Sequence, residues 1–338
     1  NIRSAFAGAV RGSLLPTPSD TVRSLRTLTA KEFIITTKTK RFKMKRNEVY
    51  NINFLDNTLP DGCAGLIIAD PPYFEVKGEF DFIWPSFEDY LKDVDKWARE
   101  CSRLLADNGT LLWWGHAKKI AYNQIVLDKY LNLIGCPVWE KEDCRTRSQS
   151  FDISRTLAPV TERLLMYSKK DELNLNSCVE HIRDYIRKEI LQAKGKIVFK
   201  EINGALGTAT NGGGVASACL SLNKEHPTMI TAEMYSKLQK YCNPFLRKEY
   251  EDLRKEYEEL RRPFNNTHKL TDVLKNPQEV HITRKYKHPT QKPLSLTRRL
   301  MQTCSRAGQL VIVPFAGSGT ECEAAVLENL EFIGFDID

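Results

Sequence analysis

The sequence predicts an α/β fold in which a doubly wound sheet carries a helical, helix-turn-helix-like insert. Short apolar runs alternate with amphipathic helical patterns over residues 44–170, and the same alternation returns over 281–338. Residues 171–280 instead contain several short helical patterns. Strands that alternate with helices through short connections are typical of a sheet covered on both faces. Residues 1–43 are expected to be a leader, either disordered or derived from vector or upstream sequence.

In the first half, the patterns predict four strands and two helices. Alternation of Tyr50, Ile52 and Phe54 indicates the first strand. Ser86, with Asp89 three residues later, is the predicted N-cap of the first helix, and residues 107–109 are expected to end that helix. The second helix is predicted over 120–131. The predicted strands are 44–56, 65–69, 110–115 and 163–168.

The later elements are predicted in the same way. A heptad that ends in Leu occurs twice over 247–260, and two heptads favour one seam packed on the protein itself rather than a dimer zipper. The final strand is expected to end at an acid, Asp336. The predicted helices are 178–194, 196–206, 215–222, 232–242, 247–260, 293–305 and 321–330, and the predicted strands are 310–313 and 331–336.

Composition and charge exclude several classes of protein. The 338 residues are 41% hydrophobic and 28% charged, and no apolar run approaches the ~20 residues of a membrane helix. A membrane is therefore not an expected partner. The nine cysteines form no C-x-x-C pair, so neither a disulfide framework nor a metal site is expected. Residues 1–43 hold nine basic and two acidic residues, which accounts for the whole net charge of +7. Any nucleic-acid contact in the folded body must therefore be a local patch.

The most informative stretch is Asp70-Pro71-Pro72-Tyr73, which follows the apolar run 65–69. Prolines cannot donate backbone hydrogen bonds, so a central strand stops here and nearby carbonyls stay free to accept. A carboxylate, free carbonyls and an aromatic ring suit a flat group that carries an exocyclic amine. A flipped adenine or cytosine fits that description. A simple strand-end cap is the alternative for Asp70 taken alone.

A second group of residues indicates a nucleotide-like cofactor. A strand, the glycine loop from Pro314 to Thr320, a helix and a strand that ends in Asp336 follow one another. Glycines let the backbone approach a ligand, the helix N-terminus faces it, and the acid suits ribose hydroxyls. The loop is not G-x-G-x-x-G, so a pyrophosphate is disfavoured. S-adenosylmethionine, which has no phosphate, fits better.

Together these motifs resemble the amino-group DNA methyltransferases of the beta class. The matching segments are Asp70 to Tyr73, His288 to Pro293, Pro314 to Thr320 and Phe332 to Asp336, in the permuted order that defines the class. The resemblance covers about residues 48–170 and 281–338. Family members usually carry Asp where this chain has Val313. The resemblance implies a Rossmann-like methyltransferase sheet, S-adenosylmethionine as cofactor and duplex DNA as partner, with a homodimer left open.

The resemblance also assigns roles to residues. Asp56 is expected to bind the adenine ring of the cofactor, Asp336 its ribose, and the segment 288–293 to close the pocket. The catalytic residues are expected to be Asp70, Pro71, Pro72 and Tyr73. The cofactor-binding residues are expected to be Asp56, Asp70, His288, Gln291, Lys292, Pro314, Phe315, Ala316, Gly317, Ser318, Gly319, Thr320 and Asp336.

The leading hypothesis is therefore a DNA adenine-N6 methyltransferase of the cytoplasm, associated with the nucleoid of a bacterial or phage-infected cell. An Asp at position 70 favours adenine, because the cytosine-N4 enzymes of the family usually carry Ser there. Cytosine-C5 chemistry needs a Pro-Cys nucleophile, which the sequence lacks. The alternatives are a cytosine-N4 methyltransferase and a catalytically weak DNA-binding regulator. The expected DNA contacts are Arg145, Arg147, Lys196, Thr210, Asn211 and Ser217.

Overall fold

The computed structural model describes most of the chain after the leader. Arg145, Arg147 and His288 were predicted to contact DNA or cofactor, and all three lie outside the described residues. In the helix that begins at residue 175, side chains are described from residue 179 onward. The described residues are 44–76, 79–142, 160–170, 175–211, 214–223, 228–278 and 291–337.

Nine strands among the described residues form one mixed sheet. They are β1 Glu48–Asn51, β2 Ala64–Ala69, β3 Leu105–Gly115, β4 Leu131–Gly135, β5 Val138–Glu142, β6 Thr161–Lys169, β7 Val273–Pro277, β8 Leu310–Val313 and β9 Glu331–Asp336. Their spatial order is β1-β9-β8-β2-β3-β6-β5-β7, and β4 also pairs with β6.

The α-helices of the described residues flank the sheet or form the insert. They are α1 Phe87–Leu104, α2 Ile120–Leu127, α3 Leu175–Lys194, α4 Phe199–Leu206, α5 Gly214–Leu220, α6 Ala232–Cys242, α7 Tyr250–Leu260, α8 Leu294–Cys304 and α9 Thr320–Leu327. Two 3₁₀ helices lie at Phe54–Asp56 and Glu79–Asp81.

Five neighbouring strands, β1, β9, β8, β2 and β3, run parallel. The chain leaves β2 through α1 to reach β3 on one side, and it leaves β8 through α9 to reach β9 on the other. The order of the sheet therefore reverses between β2 and β8. Ligands of doubly wound sheets bind at the carboxyl ends of the strands at such a reversal.

Alternate side chains of β2 lie in two separate hydrophobic cores. Ile67 and Ala69 belong to the core that includes α1 residues, whereas Leu66 and Ile68 belong to the core that includes α8 and α9 residues. All four are at most 1% exposed. Full burial of a Leu or Ile side chain contributes about 1.5–3 kcal/mol. The predicted α/β class, with a sheet covered on both faces, is confirmed.

The insert has a core of its own. Ile182, Ile186 and Ile190 recur every four residues along α3 and are at most 1% exposed. Leu253 of α7 is buried in the same cluster, and Tyr250 packs against it. The predicted seam of α7 therefore packs on the protein itself, as expected for only two heptads.

Several boundaries differ from the sequence prediction. Ser86 caps α1 as predicted, accepting from the Asp89 N–H at 3.1 Å, but α1 ends at Leu104 rather than at residues 107–109. Gly109 lies within β3, where a Cβ would lie 2.8 Å from the Ala64 carbonyl oxygen, so this glycine allows close strand packing.

The direction and number of strands also differ from the prediction. β6 runs antiparallel to β3. An apolar run predicts a buried strand but not its direction. The sequence pattern missed β4, β5 and β7, which are five-residue strands. β7 lies at the edge of the sheet and has the sequence Val-Leu-Lys-Asn-Pro, and such polar and proline-containing strands carry little signal.

Candidate active site

The reversal between β2 and β8 brings the two predicted motifs together. Leu66 lies opposite Val311 and Ile67 opposite Ile312 in the parallel pairing of these strands. Both strands therefore end at the same edge, where Asp70 follows β2 and the glycine loop follows β8. Residues far apart in the sequence are neighbours because the strands pair.

The Asp70 carboxylate is held by two donors. The Tyr73 hydroxyl donates to Oδ1, and Lys292 Nζ donates to Oδ2 at 2.5 Å. Lys292 Nζ also donates to the Tyr73 hydroxyl oxygen at 3.1 Å. The Asp70 side chain is 19% exposed and the Lys292 side chain 3%. The carboxylate is thus fixed in direction while its remaining lone pairs stay available at the edge of the sheet.

Lys292 belongs to a chain of four charges. Its Nζ lies 3.2 Å from Glu162 Oε2, and Lys141 Nζ lies 2.6 Å from Glu162 Oε1. Burial opposes ionisation of Glu162, but Lys292 and then Lys141 outweigh it and lower its pKa to about 2. Burial likewise opposes the charge of Lys292, yet Asp70 and Glu162 raise its pKa above the ordinary value. Glu162 and Lys292 are therefore both charged at neutral pH.

The segment after Tyr73 orients the motif. The Tyr73 N–H donates to the carboxylate of Asp81 at 2.7 Å, and the Glu75 N–H donates to the Asp81 carbonyl oxygen at 2.7 Å. Phe74 and Glu75 have positive φ angles of 55° and 52°, a conformation that costs non-glycine residues roughly 1–3 kcal/mol each. The buried Asp81 holds this strained turn in place. Backbone strain of this kind concentrates at functional sites.

The glycine loop has the open backbone that a ligand needs. Gly317 and Gly319 have φ angles of 47° and 74°. The Gly317 N–H donates to Asp336 Oδ2 at 2.5 Å, and the Ser318 and Thr320 hydroxyls lie 2.9 Å apart. A Cβ added at Gly319 would meet no atom within 4 Å, so open space lies beside the loop. The Asp336 carboxylate is therefore fixed at the loop, and its contact with ribose stays a prediction.

The remaining predicted cofactor residues lie at or beside this edge. Asp56 is exposed at the end of a 3₁₀ helix after β1, and Asn51 of β1 pairs with Asp336 of β9. The Phe315 ring packs edge-on against Trp97 with centroids 4.9 Å apart. Pro314, Ala316 and Thr320 are buried, whereas Gln291 is buried with an Oε1 atom that has no hydrogen-bond partner among the described residues.

The sequence analysis missed four acidic or basic residues of this region. Asp81, Lys141 and Glu162 carry the contacts described above. Glu321 lies in the first turn of α9 and is only 5% exposed. Burial, followed by the negative charge of Asp70, raises the pKa of Glu321 to about 7. The only available sequence signal was the position of Glu321 directly after the glycine loop.

The described residues that were predicted to contact DNA lie in the helical insert. Lys196 is exposed between α3 and α4, and its Nζ lies 3.9 Å from Glu201. Thr210 and Asn211 are exposed after α4, and Ser217 is half-buried on α5. α4 and α5 pack against each other, so these positions belong to adjoining elements.

A substitution at Gly334 of β9 tests how closely this strand packs against its neighbours beside the glycine loop. A Cβ there would lie 3.0 Å from Cys322 Sγ and 3.1 Å from Val49 Cγ2. We expect Gly334→Ala to lower the free energy of unfolding by about 1–3 kcal/mol, because the buried Cys322 side chain of α9 must move to admit the methyl group. Urea unfolding measures the change.

Gly204→Ala is the matched control for this substitution. Gly204 is exposed within α4, and a Cβ there would meet nothing within 4 Å. Because Ala is the better helix former, this variant should gain about 0.5–1 kcal/mol. Equal stability changes in the two variants would contradict the packing argument.

Comparison with known proteins bears directly on this site. The sequence profile of the N6/N4 DNA methylase family matches residues 64–338, which is most of the chain. The chain belongs to this family. The predicted resemblance to DNA methyltransferases is therefore confirmed at the level of the N6/N4 DNA methylases, and so is S-adenosylmethionine as the cofactor.

Two curated relatives match over short stretches. The DNA adenine methyltransferase YhdJ of Escherichia coli is 35% identical over 77 residues, which are 22% of this chain and 26% of YhdJ. The type II methyltransferase M2.MboI of Moraxella bovis is 44% identical over 50 residues, or 15% of this chain and 18% of that protein. The matched stretches thus span about a quarter or less of these relatives.

The fold is also found among solved structures. The PvuII DNA methyltransferase, described as cytosine-N4-specific, superimposes with a TM-score of 0.50 at 12% identity, covering 88% of this chain and 83% of that one. This likeness concerns the fold.

None of the helices in the described ranges has the length and hydrophobicity that a bilayer crossing demands. The described residues also contain no group of three or more His, Cys, Asp or Glu side chains placed to bind a metal.

Proposed function

We propose that this chain transfers a methyl group from S-adenosylmethionine to N6 of an adenine extruded from duplex DNA. The observation that carries the proposal is the position of Asp70. Its carboxylate follows β2 at the reversal of the sheet, directly beside the glycine loop after β8. Methylation of an amine needs two parts at the same edge of the sheet. One is a hydrogen-bond acceptor for the exocyclic amine, and the other is a loop that binds the cofactor.

The residues of the glycine loop fit the cofactor. Gly319 leaves open space beside the loop, and Asp336 presents a half-buried carboxylate suited to ribose hydroxyls. The buried Oε1 of Gln291, for which the described part of the chain provides no donor, is a further acceptor. Asp56, after the neighbouring strand β1, would hold the adenine ring. When bound, S-adenosylmethionine supplies an electrophilic methyl group on a sulfonium.

Asp70 and Pro71 make the adenine amine nucleophilic. The N6 lone pair is conjugated into the adenine ring, which makes the amine a poor nucleophile. Hydrogen bonds from the amine to the Asp70 carboxylate and the Pro71 carbonyl draw electron density back onto the nitrogen. Pro71 and Pro72 lack backbone N–H groups and end the strand, which leaves the Pro71 carbonyl outside the sheet, and Tyr73 stacks on the base. Positioning and electrostatics accelerate the reaction without a covalent enzyme intermediate.

The proposal of adenine as the base rests on Asp70 itself. In the resemblance stated above, adenine-N6 enzymes carry Asp at this position and cytosine-N4 enzymes usually carry Ser. The similarity to YhdJ, a DNA adenine methyltransferase, supports the same choice. Cytosine N4 is the alternative acceptor, since it is also an exocyclic amine that two oxygens could bind.

The helical insert supplies the proposed recognition of DNA. Residues 171–280 would read the target sequence, while residues 44–170 and 281–338 carry catalysis and the cofactor. Lys196 would contact phosphate, and Thr210, Asn211 and Ser217 would contact base edges. Extruding the base costs a few kcal/mol of unstacking, which contacts on both parts must offset.

Expression of the full chain in cells without adenine methylation tests this function. Their DNA is sequenced by a method that separates N6-methyladenine from N4-methylcytosine, beside DNA from cells that express Asp70→Ala. We expect N6-methyladenine at one short sequence in the first sample and none in the second. N4-methylcytosine in place of N6-methyladenine would identify the alternative base. Unmodified DNA from the native chain would instead support a DNA-binding regulator.

A further inference from the structure

Glu321 is a buried carboxylate that the proposed chemistry leaves unused. It is 5% exposed in the first turn of α9, immediately after the glycine loop. Among the described residues, no basic nitrogen lies within 4.0 Å of its carboxylate. Lys292 is the ammonium that acts on it most, but its Nζ is bound to Asp70 at 2.5 Å and to Glu162 at 3.2 Å. A buried carboxylate without a bound cation is costly.

Among the described residues, the charges that act on Glu321 do not balance. The carboxylates of Asp70, Glu162 and Glu321 face the ammonium groups of Lys292 and Lys141. With every group ionised, the cluster carries one excess negative charge. A Gln of the same shape would avoid this cost, so the position calls for a cation that these residues do not supply.

The end of the neighbouring strand β8 provides no acidic side chain that could bind a cation in place of Glu321. Val313, the last residue of β8, is apolar and fully buried. Asp336, on the far side of the loop, already accepts from the Gly317 N–H. Glu321 is therefore the buried acid that directly follows the glycine loop and is close enough to Asp70 for their charges to interact. The methionine portion of S-adenosylmethionine carries an α-ammonium group, and the methyl group must point toward Asp70.

We propose that Glu321 binds the α-ammonium group of the cofactor and so orients its methionine portion. This inference rests on the proposed function and deepens it by naming a cofactor-binding residue that replaces an acid at the end of β8. Ionised carboxylate and ammonium form a charge-assisted hydrogen bond that offsets the burial of both. In this arrangement Glu321 supplies the negative charge that the apolar side chain of Val313 does not supply.

Binding should be coupled to a proton. Asp70 and Lys292 are the charged groups that act on Glu321 from β2 and from the segment before α8. Burial and Asp70 hold the Glu321 pKa near 7, so below that pH the carboxyl is mostly protonated. A cation bound beside it stabilises the ionised form and lowers its pKa. The ligand should therefore release a proton from the native protein at pH 6.5.

Calorimetric titration with two ligands tests the inference. S-adenosylhomocysteine has the α-ammonium but no sulfonium, and its deaminated analogue lacks only the ammonium. We expect the native full chain to bind the first about 10- to 100-fold more tightly. Glu321→Gln should lose this preference, because only the binding of S-adenosylhomocysteine becomes weaker. The variant should also release no proton when it binds this ligand, as measured in buffers of different ionisation enthalpy. Glu323→Gln, with the same charge change in the same helix, should behave like the native chain.

The outcomes separate the inference from the proposed function. Equal weakening of both ligands by Glu321→Gln, or a preference that survives in this variant, overturns the role of Glu321 alone. Failure of the native chain to bind either ligand overturns the cofactor site and the inference together. We do not expect the variant to misfold, because Glu321→Gln removes a costly buried charge. The melting temperature of the variant at pH 8 should equal or exceed that of the native chain.

Discussion

Asp70→Ala is expected to lower the single-turnover rate of methyl transfer by about 1,000-fold or more at saturating cofactor. Removing one preorganised hydrogen-bonding group from an active site typically costs about 100- to 1,000-fold. Asp70 adds a second effect, since its carboxylate also binds Lys292 Nζ at 2.5 Å and the Tyr73 hydroxyl. Its loss therefore removes the acceptor and frees both neighbouring side chains.

Asp70→Asn separates these two effects. An amide keeps one acceptor oxygen for the adenine amine but gives up the charge that pairs with Lys292. We expect this variant to retain more activity than Asp70→Ala while it loses stability. Asp61→Ala, which removes an 80% exposed carboxylate paired with Arg103, should leave the transfer rate unchanged. A rate for Asp70→Ala within tenfold of the native value would exclude a direct role of Asp70 in activating the amine.

The parts of this site that the sequence predicted are those fixed by strand ends. Pro71 and Pro72 end β2, and the glycines mark the loop after β8, so local chemistry alone identifies both segments. Parallel strands place their carboxyl ends at one edge. That Asp70 lies beside the glycine loop follows from the pairing of β2 with β8, which the structure shows.

The charge network could not be predicted in this way, because it depends on pairing between strands. Glu162 precedes the predicted strand over 163–168 and reads as a solvent-facing acid. It lies opposite Trp139 of β5, a strand that carries no strong pattern, and Lys141 reaches it from there. Glu321 reads as an acid that complements the N-terminus of α9, which is the common role of acids at that position. Only the packing of α9 shows that it is buried.

Lys292→Met is the second substitution with a large expected effect, a loss of about 3–5 kcal/mol in the free energy of unfolding at pH 7. Lys292 Nζ serves the carboxylates of both Asp70 and Glu162, and it is 3% exposed. Methionine fills a similar volume, so the loss reports the charge rather than a cavity. Glu162 would keep Lys141 as its partner, whereas Asp70 would keep only the Tyr73 hydroxyl.

The pH dependence of this loss identifies its origin. Lys292 and Lys141 lower the pKa of Glu162 from 4.5 to about 2, so ionised Glu162 contributes about 3 kcal/mol of stability above pH 5. That contribution disappears as the pH falls toward 2, because Glu162 then becomes protonated. In Lys292→Met the pKa of Glu162 returns toward its usual value. The stability difference between native and variant should therefore shrink between pH 7 and pH 3.5 in urea unfolding measurements.

A second substitution in the same network distinguishes electrostatics from packing. Glu162→Gln combined with Lys292→Met removes one of the two carboxylates that Lys292 served, so the double variant should be more stable than the sum of the two single losses predicts. The alternative is that Lys292 stabilises the fold through the packing of its aliphatic stem and its place beside two aromatic rings. Its Nζ lies 5.4 Å from the Tyr73 ring centroid and 5.3 Å from that of Trp114. In that case the two losses would add, and acidification would leave the difference between native and Lys292→Met unchanged.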